Sequence, residues 1–127
     1  MEENIIVIDD DAIALVILQK MIAVINPSLT VLTFEKGKEA IQYLHKKKYK
    51  SPPYILADFH LKDIVGWELL EEIETIPEFD SKVFLISSSV STDLPFRSQR
   101  YKSVAGFLEK PITFDMLRSI NELIHQK

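Results

Sequence analysis

Polar side chains stand at the ends of four short apolar runs in this 127-residue chain. They are Asp9-Asp10-Asp11, Asp58, Ser87-Ser88-Ser89 and Glu109-Lys110. If these runs are parallel strands of one sheet, their carboxyl ends meet at the edge where open α/β sheets bind ligands. We therefore expect one acidic pocket that contains a single lysine.

Several carboxylates in one pocket repel each other, and a divalent cation with oxygen ligands removes that cost. Mg²⁺ is the expected cofactor because it takes one or two carboxylates together with waters and phosphate oxygens. Asp10 and Asp58 would supply these carboxylates, with Asp9 in support. A lysine and a hydroxyl on the opposite side would complete a clamp for a transferred phosphoryl group, and a remaining carboxylate can be the nucleophile.

Taken alone, each of these residues has a simpler interpretation. Asp11 is placed to be a helix N-cap, and loop serines such as Ser88 and Ser89 commonly cap or solvate the backbone. Only the combination of residue types at several strand ends indicates phosphoryl chemistry.

Short apolar runs alternate with longer segments of helical period. This pattern predicts five pairs of a strand and a helix, which would position the polar residues. The pattern predicts strands over residues 4–8, 29–34, 54–57, 82–86 and 105–108, and helices over residues 12–25, 37–47, 66–76, 92–102 and 114–126. The fourth helix is the least well defined because it contains Pro95. We expect a single α/β domain over residues 1–127, without an output domain.

Composition and charge narrow the possible functions. The net charge is −4 and the basic residues are scattered, so we expect no direct binding to nucleic acid. Without cysteine, the chain has no thiolate ligand or nucleophile. The sequence has neither the features of a signal peptide nor an apolar stretch of the roughly 20 residues that a membrane span needs. We expect a soluble cytoplasmic protein.

Four segments carry a family resemblance: Ile5-Ile6-Val7-Ile8-Asp9-Asp10-Asp11, Ile55-Leu56-Ala57-Asp58, Phe84-Leu85-Ile86-Ser87 and Gly106-Phe107-Leu108-Glu109-Lys110-Pro111. They resemble the receiver domain of bacterial two-component response regulators, and the whole resembles a single-domain chemotaxis regulator. The resemblance implies a doubly wound, flavodoxin-like fold, with a five-stranded parallel sheet in the order 2-1-3-4-5 and helices on both faces.

The resemblance also implies a metal site. Asp9 and Asp10 correspond to the acidic pair that holds Mg²⁺ in the family, and Asp58 to a residue that is both metal ligand and phosphoacceptor. The main-chain carbonyl of His60 would be a further ligand. Such a domain catalyses only its own phosphorylation and dephosphorylation.

Three further residues acquire roles from the same resemblance. The hydroxyl of Ser87 engages the phosphoryl group, and Lys110 is its cationic partner. Ser87 and the aromatic Phe107 form the switch, in which the ring turns inward on activation. The bond between Lys110 and Pro111 is often cis in this family.

Three positions depart from the family pattern. Lys62 stands where a proline commonly follows the phosphorylated residue, although Gly66 still ends that loop as expected. Ser87 replaces the commoner threonine and keeps the hydroxyl, and Ser88 stands where alanine or glycine is usual. Neither of these two serine changes removes a catalytic group.

The first predicted helix offers a docking face. Its i, i+3, i+4 spacing suggests a core stripe of Ala14, Ile17, Leu18, Met21 and Ile22. This stripe leaves Ala12, Leu15, Val16 and Gln19 facing outward. In receiver domains this surface docks the helical bundle that carries the donor histidine. A wider buried stripe is an equally good interpretation.

The expected partners follow from the resemblance. They are a sensor histidine kinase or a histidine phosphotransfer domain, and a downstream protein that the sequence does not identify. The downstream protein would contact the surface around Phe96, Arg97, Arg100 and Tyr101. We expect a monomer or a weak dimer that does not bind membranes.

Two other functions fit parts of the sequence. A haloacid-dehalogenase-type phosphatase also uses an aspartate nucleophile, Mg²⁺, a hydroxyl and a lysine, but it needs a late acidic pair that is missing after Lys110 and leaves Asp58 without a role. A receiver-like interaction module that is never phosphorylated is the second alternative, and it has no need to keep unscreened carboxylates together.

Overall fold

The chain folds as alternating strands and helices, seen here in a computed structural model that describes residues 3–46, 54–89 and 93–124. In chain order they are β1 (Glu3–Ile8), α1 (Ala12–Ile25), β2 (Leu29–Phe34), α2 (Gly37–Lys46), β3 (Tyr54–Asp58), α3 (Gly66–Glu74), β4 (Lys82–Ser87), α4 (Asp93–Ser98), β5 (Val104–Glu109) and α5 (Phe114–Ile124). The strands form one parallel sheet in the order β2-β1-β3-β4-β5. The predicted fold class and strand order are confirmed.

Both faces of the sheet are covered, because successive residues of a strand point to opposite sides. In β1, Ile6 and Ile8 join a core cluster that also contains residues of α2 and α3. Ile5 and Val7 join a second cluster that contains residues of α1 and α5. A shift of β1 by one residue would exchange the side chains that face the two clusters, so this packing fixes the register of the strand. The fixed register in turn keeps the carboxyl ends of neighbouring strands at one edge of the sheet.

The largest difference from the predicted elements is in α4, which ends at Ser98 instead of residue 102. Beyond Ser98 the backbone tightens into i→i+3 hydrogen bonds, as in the 2.9 Å bond from the Tyr101 N–H to the Ser98 carbonyl. The predicted ends at residues 47, 92 and 126 lie outside the described residues. None of the helices within 3–46, 54–89 and 93–124 has the length and apolar character needed to cross a membrane.

The predicted orientation of α1 is wrong at Leu15 and Ile17, and right at Leu18 and Ile22. Leu15, which was expected to face outward, is 5% exposed, whereas Ile17, expected in the core, is 52% exposed. The buried residues of α1 are Leu15, Leu18 and Ile22. The helix is apolar on almost every side, so its periodicity could not fix which stripe faces the sheet. Ala12, Val16 and Gln19 are exposed as predicted.

This orientation can be tested with two substitutions that remove similar volumes from the same helix. We expect Leu15→Ala to lower the free energy of unfolding by about 2–4 kcal/mol, because it leaves a cavity in the core. Ile17→Ala should cost about 0.5 kcal/mol or less, since the side chain is half in water. Urea denaturation of both variants measures the difference, and equal costs would contradict the observed orientation.

Candidate functional site

Three aspartates lie together at the carboxyl edge of the sheet, as the sequence predicts. Asp9 and Asp10 follow β1, and Asp58 is the last residue of β3, which pairs with β1. One carboxylate oxygen from each of the three lies within 4.8 Å of the others. Asp9 and Asp58 are buried and Asp10 is half-buried. The fold therefore concentrates negative charge where water has limited access.

Asp9 has a buried oxygen that lacks a hydrogen-bond partner in the described part of the chain. Its Oδ1 accepts from the Asp11 N–H at 2.9 Å, whereas Oδ2 has only an ion-pair contact with Lys110 Nζ at 3.6 Å. Burial raises the pKa of Asp9 above its ordinary value; the bond from Asp11 opposes this shift and the charge of Asp58 adds to it. A cation would satisfy the Oδ2 atom, so the three carboxylates fit Mg²⁺.

Asp58 is held from two sides. Its Oδ1 accepts from the His60 N–H at 2.9 Å, and its Oδ2 lies 3.2 Å from Lys110 Nζ. Burial alone would lower the pKa of Lys110, but the charges and hydrogen bonds of Asp58 and Asp9 raise it above its ordinary value. The lysine therefore stays charged beside Asp58 at neutral pH.

The backbone of β4 places Lys110 in this position. The Lys110 N–H donates to the Ser87 carbonyl at 2.9 Å, which continues the pairing of β4 with β5 beyond Glu109. The bond between Lys110 and Pro111 is cis, so that prediction is confirmed.

Ser87 lies at the same edge of the sheet, at the end of β4. Its hydroxyl is buried and donates to the Ser89 carbonyl at 2.9 Å, and the Ser89 N–H lies 3.2 Å from the same oxygen. Phe107 is half-buried in β5 and packs against the core cluster that contains residues of α2 and α3. The hydroxyl thus lies at the same edge of the sheet as the three aspartates but is engaged within its own turn.

Asp11 belongs to α1 and not to the group of three carboxylates. Its Oδ1 accepts from the Ile13 N–H at 3.0 Å and from the Ala14 N–H at 3.3 Å, and its backbone is extended. These contacts make it the N-cap of the helix, so the simpler interpretation of this residue is confirmed.

The loop between β3 and α3 begins directly after Asp58. His60 and Val65 form an isolated antiparallel bridge, and the Gly66 N–H donates to the Phe59 carbonyl at 3.0 Å. A Cβ atom on Gly66 would overlap the ring of Phe59, so the loop needs glycine there. The side chain of His60 is exposed, as expected, and the role of its carbonyl as a ligand stays a prediction.

Two contacts of this loop were missed by the sequence analysis. The Lys62 N–H donates to Asp10 Oδ2 at 3.0 Å. The carboxylate of Asp63 accepts from the Gly37 N–H at 3.1 Å and from the Lys38 N–H at 2.9 Å, at the start of α2. The only hint in the sequence was the lack of a capping residue just before Gly37.

A row of aromatic rings runs from Phe59, next to Asp58, toward α4, and no pattern in the sequence predicts it. Phe59 meets Trp67 edge to face with centroids 5.0 Å apart. Trp67 stacks on Tyr101 at 5.6 Å, and the guanidinium of Arg97 lies 4.7 Å from a ring centroid of Trp67. The residue next to Asp58 is thereby connected to the segment that contains α4.

Comparisons with known proteins agree with this geometry. The sequence model of the response regulator receiver domain matches residues 5–122. The chain is 27% identical to chemotaxis protein CheV2 of Helicobacter pylori, over 86% of this chain and 34% of that protein. It is 26% identical to the two-component response regulator ARR2 of Arabidopsis thaliana, over 98% of this chain and 18% of that protein. The chain thus spans about a third or less of the length of these curated relatives.

A solved structure shows the same architecture. The chain superposes with a TM-score of 0.78 on the signal receiver domain of a protein described as a Luxo repressor from Vibrio parahaemolyticus, at 28% identity. The match covers 98% of this chain and 90% of that one.

Proposed function

This chain belongs to the response regulator receiver domain family, and we propose that it is a signalling switch in which Asp58 accepts a phosphoryl group. The observation that carries the proposal is the position of Asp58. It is buried beside two further aspartates, and one of its oxygens lies 3.2 Å from Lys110 Nζ. This arrangement joins a nucleophile, a set of metal ligands and a cation.

In the proposed reaction an Asp58 oxygen attacks the phosphorus of a phosphohistidine. The new bond joins this oxygen to phosphorus as the bond between phosphorus and the histidine nitrogen breaks, and its electron pair returns to the imidazole. Asp9, Asp10 and Asp58 would hold Mg²⁺, which supplies positive charge to the phosphoryl oxygens. Lys110 offers its charge from the other side. The chain would catalyse only this transfer and the hydrolysis of its own acyl phosphate.

Incubation with acetyl phosphate and Mg²⁺ tests the acceptor. We expect intact mass to show one added phosphoryl group on the wild-type chain and none on Asp58→Asn, because the amide is not a nucleophile. Asp80→Asn removes an exposed aspartate near the start of β4 and should still be modified.

An adduct on Asp58→Asn would place the acceptor elsewhere. If neither acetyl phosphate nor a histidine kinase gives an Asp58-dependent adduct, the chain is instead an interaction module that is not phosphorylated.

We further propose that the phosphodonor, a sensor histidine kinase or a histidine phosphotransfer domain, docks on α1. Ile13 and Ile17 are 72% and 52% exposed, and with Val16 they form an apolar face. This face borders a groove of about 460 Å³ whose lining includes Asp9 and Lys110. A partner on this face therefore reaches the acidic edge of the sheet.

The docking proposal predicts that Ile17→Glu slows transfer from the cognate phosphodonor by at least about tenfold, because it buries a charge in an apolar interface. Phosphorylation by acetyl phosphate should stay within about twofold of the wild-type rate, since a small donor needs no docking face. The matched control is Gln42→Glu, an exposed position on α2 at the other face of the sheet. Equal slowing by both variants would count against α1.

The switch would use Ser87 and Phe107. The Ser87 hydroxyl now donates to the Ser89 carbonyl, and a phosphoryl oxygen on Asp58 is a stronger acceptor because it is charged. Moving the hydroxyl to it would release the turn at residues 87–89, which precedes α4, and allow Phe107 to turn inward. Phosphorylation biases two arrangements of such an element and does not create a new one.

Beryllofluoride, which mimics the phosphoryl group, should shift NMR amide resonances of Ser89 and Phe107 as well as those next to Asp58. In Ser87→Ala the shifts near Asp58 should persist, while those at Ser89 and Phe107 shrink because the hydroxyl that connects them is missing. Shifts confined to the neighbours of Asp58 in the wild-type chain would argue against this switch.

A further inference from the structure

The backbone of Lys62 contacts the proposed metal site directly. Its N–H donates to Asp10 Oδ2 at 3.0 Å, and the two residues are 52 positions apart. Asp10 follows β1 and Lys62 lies in the loop after β3, so this bond connects the two loops that contribute the three carboxylates. It uses the Oδ2 atom of Asp10.

The N–H of Lys62 is a fixed donor because the loop around it is anchored on both sides. The carboxylate of the next residue, Asp63, accepts from two N–H groups at the start of α2. The loop is closed at its base by the bridge between His60 and Val65. The amide therefore keeps its direction without help from the exposed side chain of Lys62.

Of the three aspartates, Asp10 is the one whose side-chain orientation depends most on such a donor. Asp9 and Asp58 are buried and hold their orientation through packing and other hydrogen bonds, whereas Asp10 is only half-buried. A half-buried carboxylate can adopt several rotamers, and a hydrogen bond from rigid backbone selects one of them. The selected rotamer is the one that brings an Asp10 oxygen within 4.8 Å of oxygens of the other two.

We propose that the Lys62 N–H is a positioning group for Mg²⁺, which holds the Asp10 carboxylate ready to bind the ion. This proposal rests on the proposed function of the acidic site. It concerns the main-chain N–H, so any residue except proline can supply it. Proline, the residue expected at this position from the family resemblance, would leave the carboxylate without this bond.

The matched pair Lys62→Pro and Lys62→Ala separates the backbone from the side chain. We expect Lys62→Pro to weaken Mg²⁺ binding by about three- to tenfold, because it removes the donor. Lys62→Ala keeps the donor and should bind within about twofold of the wild-type affinity. Isothermal titration with MgCl₂ measures both, and the fluorescence of Trp67, the only tryptophan of the chain, gives a second readout.

A second pair of variants controls for distortion of the loop by the proline substitution. Asp63→Ala removes the anchor next to Lys62 and leaves the Lys62 amide intact, whereas Asp63→Asn keeps an oxygen that can accept from α2. We expect Asp63→Ala to bind Mg²⁺ more weakly than Asp63→Asn. In the metal-free chain, Asp10→Ala should move the amide proton resonance of Lys62 upfield because its acceptor is gone.

The proposal is overturned if Lys62→Pro binds Mg²⁺ as tightly as the wild-type chain or more tightly, which would mean that the N–H competes with the ion. It is also overturned if Lys62→Ala weakens binding as much as Lys62→Pro. In both cases wild-type binding of Mg²⁺ and phosphorylation of Asp58 remain, so the proposed function survives. A wild-type chain that does not bind Mg²⁺ overturns this proposal together with the metal site.

Discussion

Mutual repulsion among Asp9, Asp10 and Asp58 is the constraint on which the arrangement at the sheet edge depends. Oxygens of the three carboxylates lie within 4.8 Å of one another, and two of the residues are buried. Lys110 offsets part of this charge through Asp58 and Asp9. Buried like charges persist only where the surrounding packing is strong enough to hold them together. The three carboxylates are therefore held together against their mutual repulsion, and a bound cation would reduce that repulsion.

The stability that supports the site comes from the two-sided core. β1, β3 and β4 lie in the middle of the sheet, and their alternate side chains fill separate clusters on its two faces. Asp9 directly follows β1, Asp58 is the last residue of β3 and Ser87 is the last residue of β4. Each of these side chains starts from a backbone position that cannot shift without disturbing both clusters. The proposed chemistry is therefore located at the ends of strands that the core constrains on both faces.

The sheet and the grouping of Asp9, Asp10 and Asp58 could be predicted because both follow from short local sequence patterns. For example, an apolar run followed by Asp58 indicates a buried strand and its carboxyl end, even when the strands that pair with it are not known. The orientation of α1 could not be predicted in this way, because the contrast between its faces is too weak to distinguish Leu15 from Ile17. The cap on α2 by Asp63 was equally inaccessible, since it depends on how two loops approach each other in the folded chain.

Two sets of contacts lead away from the acidic site, and they differ in physical character. One follows the chain from Ser87 through its hydrogen bond to Ser89. The other crosses the structure through the rings of Phe59, Trp67 and Tyr101. A hydrogen bond of one hydroxyl can be exchanged for another, whereas stacked rings transmit a displacement only if they move together. The rings therefore pack Phe59, which follows Asp58, against Trp67 and Trp67 against Tyr101, whereas the hydrogen bond of Ser87 is the contact that the proposed switch would exchange.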